Sequence, residues 1–337
     1  MLEGKSILIT GGTGSFGKKF IAMVLKKYPK IEKLVIFSRD ELKQYEMSQE
    51  FSFEKYKAIR YFLGDIRDLD RLKQALEGID IVIHAAALKQ VPAAEYNPSE
   101  FIKTNILGTQ NVVDAVLSSG SVTKLIALST DKASSPANLY GATKLCADKL
   151  VIAGNNIKGQ KNINFSVVRY GNVLGSRGSV LPAFLKQDKE SDFFTITDEG
   201  MTRFTITLNE GVNMVLWAIA NAIGGEIFVP KIPSYKILDI AAAINSEKKV
   251  KIIGIRPGEK LHEEMISVAD AENTIDLGKY YAILPYDNTK MLKQYLSHKS
   301  LKVKKVSKSF SYSSDLNEDF VSVKELRDMI KAENDSL

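Results

Sequence analysis

The chain has 337 residues, and at about 150 residues per domain this length predicts two domains. Its 45% apolar and 26% charged residues are ordinary for a soluble globular protein. The single cysteine, Cys146, excludes an intramolecular disulfide and a cysteine-rich zinc site, and three widely spaced histidines argue against a metal cluster, so we expect no metal. The net charge of +6 is a mild excess without a basic stripe that carries aromatics, so we expect no nucleic-acid partner.

No segment has the length or the flanks of a membrane span or a signal peptide. The longest apolar stretches, such as 81–88, fall well short of the ~20 residues that cross a bilayer. The N-terminus runs from Met1 straight into an apolar strand pattern, with no basic region before it. We therefore expect no membrane partner and a cytoplasmic location, where a single thiol stays reduced.

Short apolar runs alternate with helical patterns through the first half of the chain. Apolar runs of this length are typical of parallel strands covered on both faces. The alternation predicts an α/β fold, a doubly wound parallel Rossmann sheet. The predicted strands are 6–10, 33–37, 58–63, 80–83, 124–128 and 165–169, and the predicted helices are 16–28, 69–76, 100–117 and 140–152.

The alternation breaks after Arg169, where a glycine-rich loop begins. Beyond it, the pattern predicts a helix over 208–222, a strand over 225–229 and a helix over 237–244. We divide the chain into a Rossmann domain over 1–170, with a return around 200–230, and a smaller substrate-binding lobe with a C-terminal tail over 171–337. From about residue 286 the periodicity is weak and predicts no defined element.

A glycine-rich segment follows the first predicted strand directly and opens the first helix. Its sequence is GGTGSFG at 11–17. Glycines let the backbone approach a pyrophosphate, which binds at the positive N-terminus of the helix, and the strand–loop–helix context is the condition for this interpretation. We expect a dinucleotide to contact Gly11, Thr13, Gly14, Ser15, Phe16 and Gly17.

The residues at the end of the second strand bear on the choice between NAD and NADP. An NAD site usually places a carboxylate there, but Ser38 and Arg39 occupy the position and Lys43 follows one helical turn later. A hydroxyl and a guanidinium suit a 2′-phosphate, so we infer NADP. The alternative is that Asp40 binds the ribose and Arg39 is a surface cation. Asp65, after the third strand, is expected to contact the adenine amino group.

A tyrosine and a lysine one helical turn apart follow the fifth strand. Tyr140 and Lys144 share one face of the predicted helix, and an ammonium beside a phenol is expected to lower its pKa from about 10. Tyr140 is therefore a candidate base that takes a hydroxyl proton while a hydride leaves to nicotinamide. The strand itself ends in Thr130, Asp131 and Lys132. If these residues have no catalytic role, Asp131 would cap a helix and Lys132 would lie at the surface.

Ten segments in the same order resemble the extended short-chain dehydrogenase/reductases that act on nucleotide sugars. Residues 3 to about 267 carry the resemblance, which within that family is strongest to the inverting 4,6-dehydratases of pseudaminic acid biosynthesis. It implies NADP as cofactor, UDP-N-acetylglucosamine as substrate and a homo-oligomer, either a hexamer or a dimer. The segments are GGTGSFG (11–17), SRDELKQ (38–44), GDIRD (64–68), HAAALKQVPAAEYNP (84–98), STDKA (129–133), LYGATK (139–144), RYGNVLGSRGSV (169–180), ITDEGMTRF (196–204), GGEIFVPKIPS (224–234) and GIRPGEKLHEEMI (254–266).

The resemblance implies a reaction in which water leaves from C5 and C6 of the sugar without net oxidation. Tyr140 with Lys144 would take the C4 hydroxyl proton, Lys132 would remove the C5 proton, and Asp131 would protonate the departing C6 hydroxyl. Hydride would then return to C6, and protonation from the opposite face would invert C5. A base lysine must be neutral, so we expect burial or cations such as Lys144 to lower the pKa of Lys132.

The resemblance also implies contacts along the cofactor and the substrate. Arg256 and Glu259 would clamp the uridine diphosphate, and their alternative is a surface salt bridge. Further cofactor contacts would be Asp65, Ile66, Ala85, Lys89, Thr104, Asn105, Val173 and Arg177, besides Tyr140 and Lys144. Further substrate contacts would be Lys89, Thr130, Tyr140, Asn172, Val180 and Thr197.

Three alternative functions stay open at this stage. The first is a dehydratase that retains C5 or that also epimerises its product for a fucosamine-type pathway. The second is a UDP-hexose 4-epimerase, which the Asp131–Lys132 pair argues against, because epimerases of this family lack that pair. The third is a non-catalytic nucleotide sensor, which the presence of both Tyr140 and Lys144 argues against.

Overall fold

Strands and helices alternate through the first half of the molecule, as predicted. The computed structural model describes residues 1–176, 179–298 and 301–334. Its first strands begin and end within two residues of the predicted ones, and all five residues of the first are buried. They are β1 (Ser6–Thr10), β2 (Lys33–Ser38), β3 (Ile59–Leu63), β4 (Ile81–His84), β5 (Lys124–Thr130) and β6 (Asn164–Tyr170).

Some of the helices between these strands begin at polar capping residues. Asp40 accepts a hydrogen bond from the Lys43 backbone N–H at 3.0 Å, and Asn138 accepts one from that of Gly141 at 2.8 Å. The helix predicted over 100–117 is interrupted, because a π-helix at Ile102–Leu107 separates two α-helices. The helices are α1 (Ser15–Lys27), α2 (Glu41–Glu50), α3 (Leu69–Ala75), α4 (Val91–Tyr96), α5 (Pro98–Phe101), α6 (Gly108–Ser118) and α7 (Leu139–Ile157).

The second half contains shorter elements. The helices predicted over 208–222 and 237–244 are present, whereas most of the short strands were not predicted. In chain order, these elements are β7 (Asn172–Val173), α8 (Val180–Glu190), β8 (Phe193–Ile196), β9 (Thr202–Ile206), α9 (Leu208–Asn221), β10 (Ile227–Pro230), β11 (Ser234–Lys236), α10 (Ile237–Ile244), β12 (Lys249–Ile252), β13 (Glu264–Ile266), β14 (Thr274–Asp276), β15 (Tyr280–Ile283), α11 (Thr289–Leu296), β16 (Lys304–Lys305), β17 (Tyr312–Ser313) and α12 (Val323–Asn334).

One ten-stranded sheet organises the molecule. Its order is β16-β14-β15-β10-β6-β5-β4-β1-β2-β3. The strands from β10 to β3 are parallel, and β15, β14 and β16 run antiparallel to their neighbours. The chain order reverses between β1 and β4, and at such a switch point the carboxyl ends of the strands open a crevice for a ligand. The predicted doubly wound parallel sheet is confirmed.

A second apolar core lies apart from the sheet. Side chains of α8, β8, α10 and α12 form it, among them Phe184, Phe194, Ile240 and Leu326. The division of the chain near residue 170 stays a prediction, since the sheet takes β14, β15 and β16 from the part assigned to the lobe and tail. Within the described residues, no helix is long and apolar enough to cross a bilayer.

Candidate active site

A cavity of about 1180 Å³ opens at the carboxyl ends of the parallel strands. It extends from the loop after β1, past the ends of β2 and β5, to the loop before β13. The predicted site residues that line it are Gly11, Thr13, Gly14, Ser15, Phe16, Gly17, Ser38, Arg39, Asp40, Lys43, Asp65, Ile66, Ala85, Lys89, Thr104, Thr130, Lys132, Tyr140, Lys144, Asn172, Val173, Val180, Thr197, Arg256 and Glu259. The structure thus gathers residues from 11 to 259 around one space.

Two predicted residues do not line the cavity, and a third lies outside the described residues. Asn105 is buried, and its side-chain amide bonds both the N–H and the C=O of Leu88 at 2.8 Å, so it holds the loop that carries Lys89. Asp131 is fully buried behind Thr130 and Lys132. Arg177 lies outside the described residues.

The glycine-rich loop brings the start of α1 against the end of β1. Gly11 has φ +66°, and a Cβ there would lie 2.8 Å from the backbone of Ala86, so a side chain is excluded for two reasons. Helix α1 begins after Gly14, which has no side chain to cap the first N–H groups. Those N–H groups and the helix dipole make this end of the cavity suitable for a pyrophosphate.

Charged side chains cluster where β2 and β3 end. The Asp40 carboxylate caps α2 and binds Lys43, and these hydrogen bonds hold the pKa of Asp40 below its usual range. Asp65 accepts hydrogen bonds from the Arg67 guanidinium at 2.9 and 3.1 Å, and Arg39 lies 3.7 Å from the same oxygen. Both carboxylates are therefore occupied by cations, and half of the Arg39 side chain stays exposed at the cavity edge.

The β5–α7 connection places the reacting groups. Lys132 follows β5 in a single 3-10 turn, and Tyr140 and Lys144 lie on α7. Helix α7 packs directly on that turn, because a Cβ on Gly141 would lie 2.2 Å from the Lys132 carbonyl oxygen. Thr130 lines the cavity beside them and donates its hydroxyl hydrogen to Asp131 Oδ1 at 2.8 Å.

The predicted lowering of the Tyr140 pKa is wrong for this structure. Burial raises the pKa of Tyr140 to about 12, and the nearby Lys132 ammonium and a hydrogen bond with Thr130 oppose this only in part. Lys144 instead donates from Nζ to the Leu128 carbonyl at 2.7 Å. Burial also lowers the pKa of Lys144 itself. Removal of water from the phenolate therefore outweighs the attraction of neighbouring cations.

The predicted lowering of the Lys132 pKa is also wrong. Burial alone would lower it, but the carboxylates of Asp131 and Glu263 outweigh burial and hold the pKa above its ordinary value. Lys132 Nζ lies 3.0 Å from Asp131 Oδ1 and 3.0 Å from Glu263 Oε1. It also donates to Asn172 Oδ1 at 3.2 Å, so Asn172, predicted for the UDP end, lies at the lysine. The two carboxylates hold Lys132 as an ammonium.

Two charged residues near Lys132, Glu263 and Arg203, were not predicted from the sequence. Both are buried, both line the cavity, and Arg203 Nε lies 3.7 Å from Glu263 Oε1. Each stands in a segment that carries the family resemblance, ITDEGMTRF and GIRPGEKLHEEMI, and that placement is the signal that could have found them. Their proximity to Lys132 depends on the fold, since they come from distant parts of the chain.

Comparison with known proteins agrees with this arrangement. Residues 7–285 match the model of the family described as polysaccharide biosynthesis protein. The chain is 55% identical over 333 residues to the UDP-N-acetylglucosamine 4,6-dehydratase (inverting) of Campylobacter jejuni subsp. jejuni serotype O:23/36 (strain 81-176), with 98% of each chain covered. It is 42% identical over 289 residues to the UDP-glucose 4-epimerase of Rickettsia canadensis (strain McKiel), with 84% of each covered.

A solved structure gives the same result for the fold. The X-ray structure of Pen from Bacillus thuringiensis superposes with a TM-score of 0.89 at 37% identity, with 99% of each chain covered. The long family match and the high identity to the Campylobacter protein together identify the family. The chain belongs to the polysaccharide biosynthesis protein family, within the extended short-chain dehydrogenase/reductases.

Proposed function

We propose that the protein is an NADP-dependent nucleotide-sugar 4,6-dehydratase, a lyase that converts UDP-N-acetylglucosamine into the 4-keto-6-deoxy sugar with inversion at C5. The observation that carries the proposal is the single cavity wall on which Thr130, Lys132 and Tyr140 lie together. The name of the 55% identical Campylobacter relative supports the same reaction. Asp131 and Lys132 provide an acid and a base that a simple epimerase does not need.

The cofactor assignment depends on the residues after β2. Asp40 is committed to capping α2 and to Lys43, so it is poorly placed to accept a ribose 2′-hydroxyl. The half-exposed Arg39 guanidinium suits a 2′-phosphate, which it can bind with two parallel hydrogen bonds. NADP held at this site would supply a hydride acceptor for C4 and a hydride donor for C6, and the positive charge of its oxidised ring would oppose the burial that keeps Tyr140 protonated.

The first chemical step needs a group that takes the C4 hydroxyl proton. Tyr140 is that group, and only its phenolate can accept the proton. Lys144 lies one turn further along α7, and its hydrogen bond to the Leu128 carbonyl fixes its ammonium beside β5. Oxidation at C4 produces a ketone, which makes the C5 proton acidic enough for a lysine to remove.

The elimination needs a neutral Lys132 and a protonated acid at the same time. Transfer of a proton from Lys132 Nζ to Asp131 Oδ1, 3.0 Å apart, produces both in one event. Lys132 then takes the C5 proton, the electron pair forms the C5–C6 double bond, and the C6–oxygen bond breaks. Asp131 is buried, so its proton reaches the departing oxygen through the Thr130 hydroxyl, which lies between Asp131 and the cavity.

The closest competing function is 4-epimerisation, which the name of the Rickettsia relative favours. The two reactions differ in mass balance, because dehydration removes one water and epimerisation changes no mass. Incubation with UDP-N-acetylglucosamine and mass spectrometry of the nucleotide sugar therefore separates them. We expect a product lighter by one water, and an intact mass with an altered C4 centre would contradict the dehydratase.

Lys132→Ala separates the two halves of the reaction. The variant keeps Tyr140 and Lys144, so it should still form reduced nicotinamide on mixing with substrate. It lacks the base, so exchange of the C5 proton with solvent should fall by about 100-fold or more. C5 exchange at the unaltered rate would remove Lys132 from the mechanism.

Three wider aspects belong to the same proposal. A cytoplasmic location fits a reaction on a nucleotide sugar, and the first step of pseudaminic acid biosynthesis fits an inverted C5. A homo-oligomer, dimer or hexamer, is inferred from the family resemblance. Light scattering of the purified protein tests the last of these, and a monomer mass would contradict it.

A further inference from the structure

Lys132 lies between two carboxylates, and only one of them has a role in the proposed reaction. Asp131 Oδ1 and Glu263 Oε1 each lie 3.0 Å from Lys132 Nζ. Glu263 is 2% exposed, and it lines the cavity, whereas Asp131 does not. Among the described residues, neither Asp131 Oδ2 nor Glu263 Oε2 has a hydrogen-bond partner. Burial of a carboxylate beside the base, with half of its hydrogen-bonding capacity unused, is costly unless its charge is needed there.

Lys132, Asp131, Glu263 and Arg203 form a cluster whose charges sum to zero in two different protonation states. With Lys132 and Arg203 cationic and Asp131 and Glu263 anionic, the four groups sum to zero. After the proton moves from Lys132 to Asp131, both become neutral, and the Glu263 anion remains opposite the Arg203 cation 3.7 Å away. The cluster therefore reaches the reactive protonation state without a net change in charge, which a buried site favours.

Arg203 keeps Glu263 in place without replacing Lys132 as its partner. Its guanidinium donates to the carbonyls of Lys260 at 2.9 Å and Leu261 at 3.0 Å, which fixes the loop leading to Glu263. At 3.7 Å, its Nε is too far from Oε1 for a good hydrogen bond. The shorter contact of Glu263 is therefore the one to Lys132.

We propose that Glu263 is a positioning residue for Lys132: its carboxylate aims the amine and stabilises the ammonium that forms when Lys132 takes the C5 proton. This inference rests on the proposed function. As the C5–H bond breaks, positive charge returns to Nζ while Asp131 gives up its proton to the departing oxygen. The Glu263 anion, 3.0 Å away, is then the counter-ion that the transition state needs.

The test is Glu263→Gln, which keeps the shape and removes the charge. The neighbouring Glu264→Gln is the matched control, because Glu264 bonds Ser135 at 2.7 Å and does not line the cavity. Two readouts are taken with UDP-N-acetylglucosamine in heavy water: the absorbance of reduced nicotinamide and the exchange of the C5 proton. We expect Glu263→Gln to keep the first within about threefold and to lose about 100-fold in the second.

The pH dependence of exchange gives a signature that a merely structural role would not produce. Loss of the Lys132 proton to solvent also produces a neutral base, and C5 exchange does not need the acid, so the exchange rate rises at high pH. The carboxylate raises the pKa of Lys132, so its removal should move this rising limb to lower pH. Glu263→Asp, which keeps the charge one bond shorter, should recover part of the rate and return the limb toward its original position. Glu263→Asp also provides the test if Glu263→Gln does not fold.

The outcomes are distinct. If Glu263→Gln leaves both the rate of C5 exchange and the position of its rising pH limb unchanged, the assignment is overturned. An equal loss of nicotinamide reduction and C5 exchange in a folded variant would also overturn it. If Glu263→Asp is no better than Glu263→Gln, the charge is not what matters, and the assignment also fails. Absence of C5 exchange in the unaltered protein would instead overturn the proposed function and this inference with it.

Discussion

Tyr140 and Lys132 occupy the same cavity wall, yet their surroundings favour opposite charge states. Tyr140 is 9% exposed, and loss of water raises the pKa of its phenol more than the cation of Lys132 lowers it. Lys132 is also buried, but the two carboxylates that lie 3.0 Å from its Nζ raise its pKa by more than burial lowers it. Tyr140 is therefore a neutral phenol and Lys132 a charged amine, and both must lose a proton before they can act as bases.

Tyr140→Phe should abolish the first oxidation, because it removes the hydroxyl that is proposed to take the C4 hydroxyl proton. The expected loss is at least about 100-fold in the formation of reduced nicotinamide, followed by absorbance after mixing with substrate. Tyr96→Phe on α4, where the side chain is 87% exposed, is the control and should react normally. Normal reduction in Tyr140→Phe would refute the role of the phenol.

Arg39→Ala should change the choice of cofactor rather than the chemistry. Loss of the guanidinium at the end of β2 should weaken NADP binding about tenfold, roughly 1.4 kcal/mol, and leave NAD binding nearly unchanged. Calorimetric titration with each dinucleotide measures both. Arg60→Ala, on β3 outside the cavity, is the matched control. Equal weakening for NADP and NAD in Arg39→Ala would mean that Arg39 does not contact a 2′-phosphate.

Local motifs predict part of this site directly, and the family resemblance predicts further lining residues such as Arg256. The glycine loop and the β5–α7 segment are local motifs, and their predicted residues do line the cavity apart from Asp131. Glu263 and Arg203 lie far from Lys132 along the chain, and no local pattern brings them together. Their absence from the prediction also explains the error on the Lys132 pKa, since Glu263 is one of the two carboxylates that raise it.

At the scale of elements, the contact between α7 and the turn after β5 connects packing to chemistry. Gly141 has no room for a side chain, since a Cβ would lie 2.2 Å from the Lys132 carbonyl oxygen. The same turn holds Lys132 against Glu263 and Asn172. A small displacement of α7 would therefore also displace Lys132, the proposed base.

Gly141→Ala should lower both activity and stability. The added methyl group forces α7 or the turn to move, which typically costs about 1–3 kcal/mol of unfolding free energy and misplaces Lys132. Gly211→Ala in α9 is the control, because a Cβ there meets nothing within 4 Å and alanine favours a helix by about 1 kcal/mol. Urea unfolding and C5 exchange are measured for both. A fully active, equally stable Gly141→Ala would contradict the packing described.

Helix boundaries could be predicted where a capping residue marks them, and not where the backbone departs from regular α-helix. The apolar pattern over 100–117 continues through the π-helix at Ile102–Leu107, so one helix is predicted where three segments exist. Helix α2 was not assigned from its sequence, because its surface is largely polar and only Gln44 and Met47 are buried. Periodicity detects an apolar stripe, and α2 has almost none.

At the scale of the whole molecule, the C-terminal third supports both cores. Strands β14, β15 and β16 extend the sheet, and α12 closes the second core against α10 through the fully buried Leu326. These strands have two to four residues each, too short to carry a recognisable alternation. This is the physical reason that the tail could not be predicted while the parallel half of the sheet could.

Leu326→Ala should destabilise the second core. Removal of a fully buried leucine side chain leaves a cavity and costs about 2–5 kcal/mol of unfolding free energy, measured by urea denaturation. Leu316→Ala, at a side chain that is 70% exposed, should change it by less than about 0.5 kcal/mol. Equal stability of the two variants would show that α12 contributes little to the fold.

The most direct test of the central claim is proton NMR of UDP-N-acetylglucosamine mixed with the purified protein in heavy water. We predict a new C6 methyl signal, deuterium at C5 and no net change in reduced NADP, with ring couplings that report an inverted C5. A sugar that keeps its C6 hydroxyl, or that changes only at C4, would contradict the dehydratase and favour the epimerase.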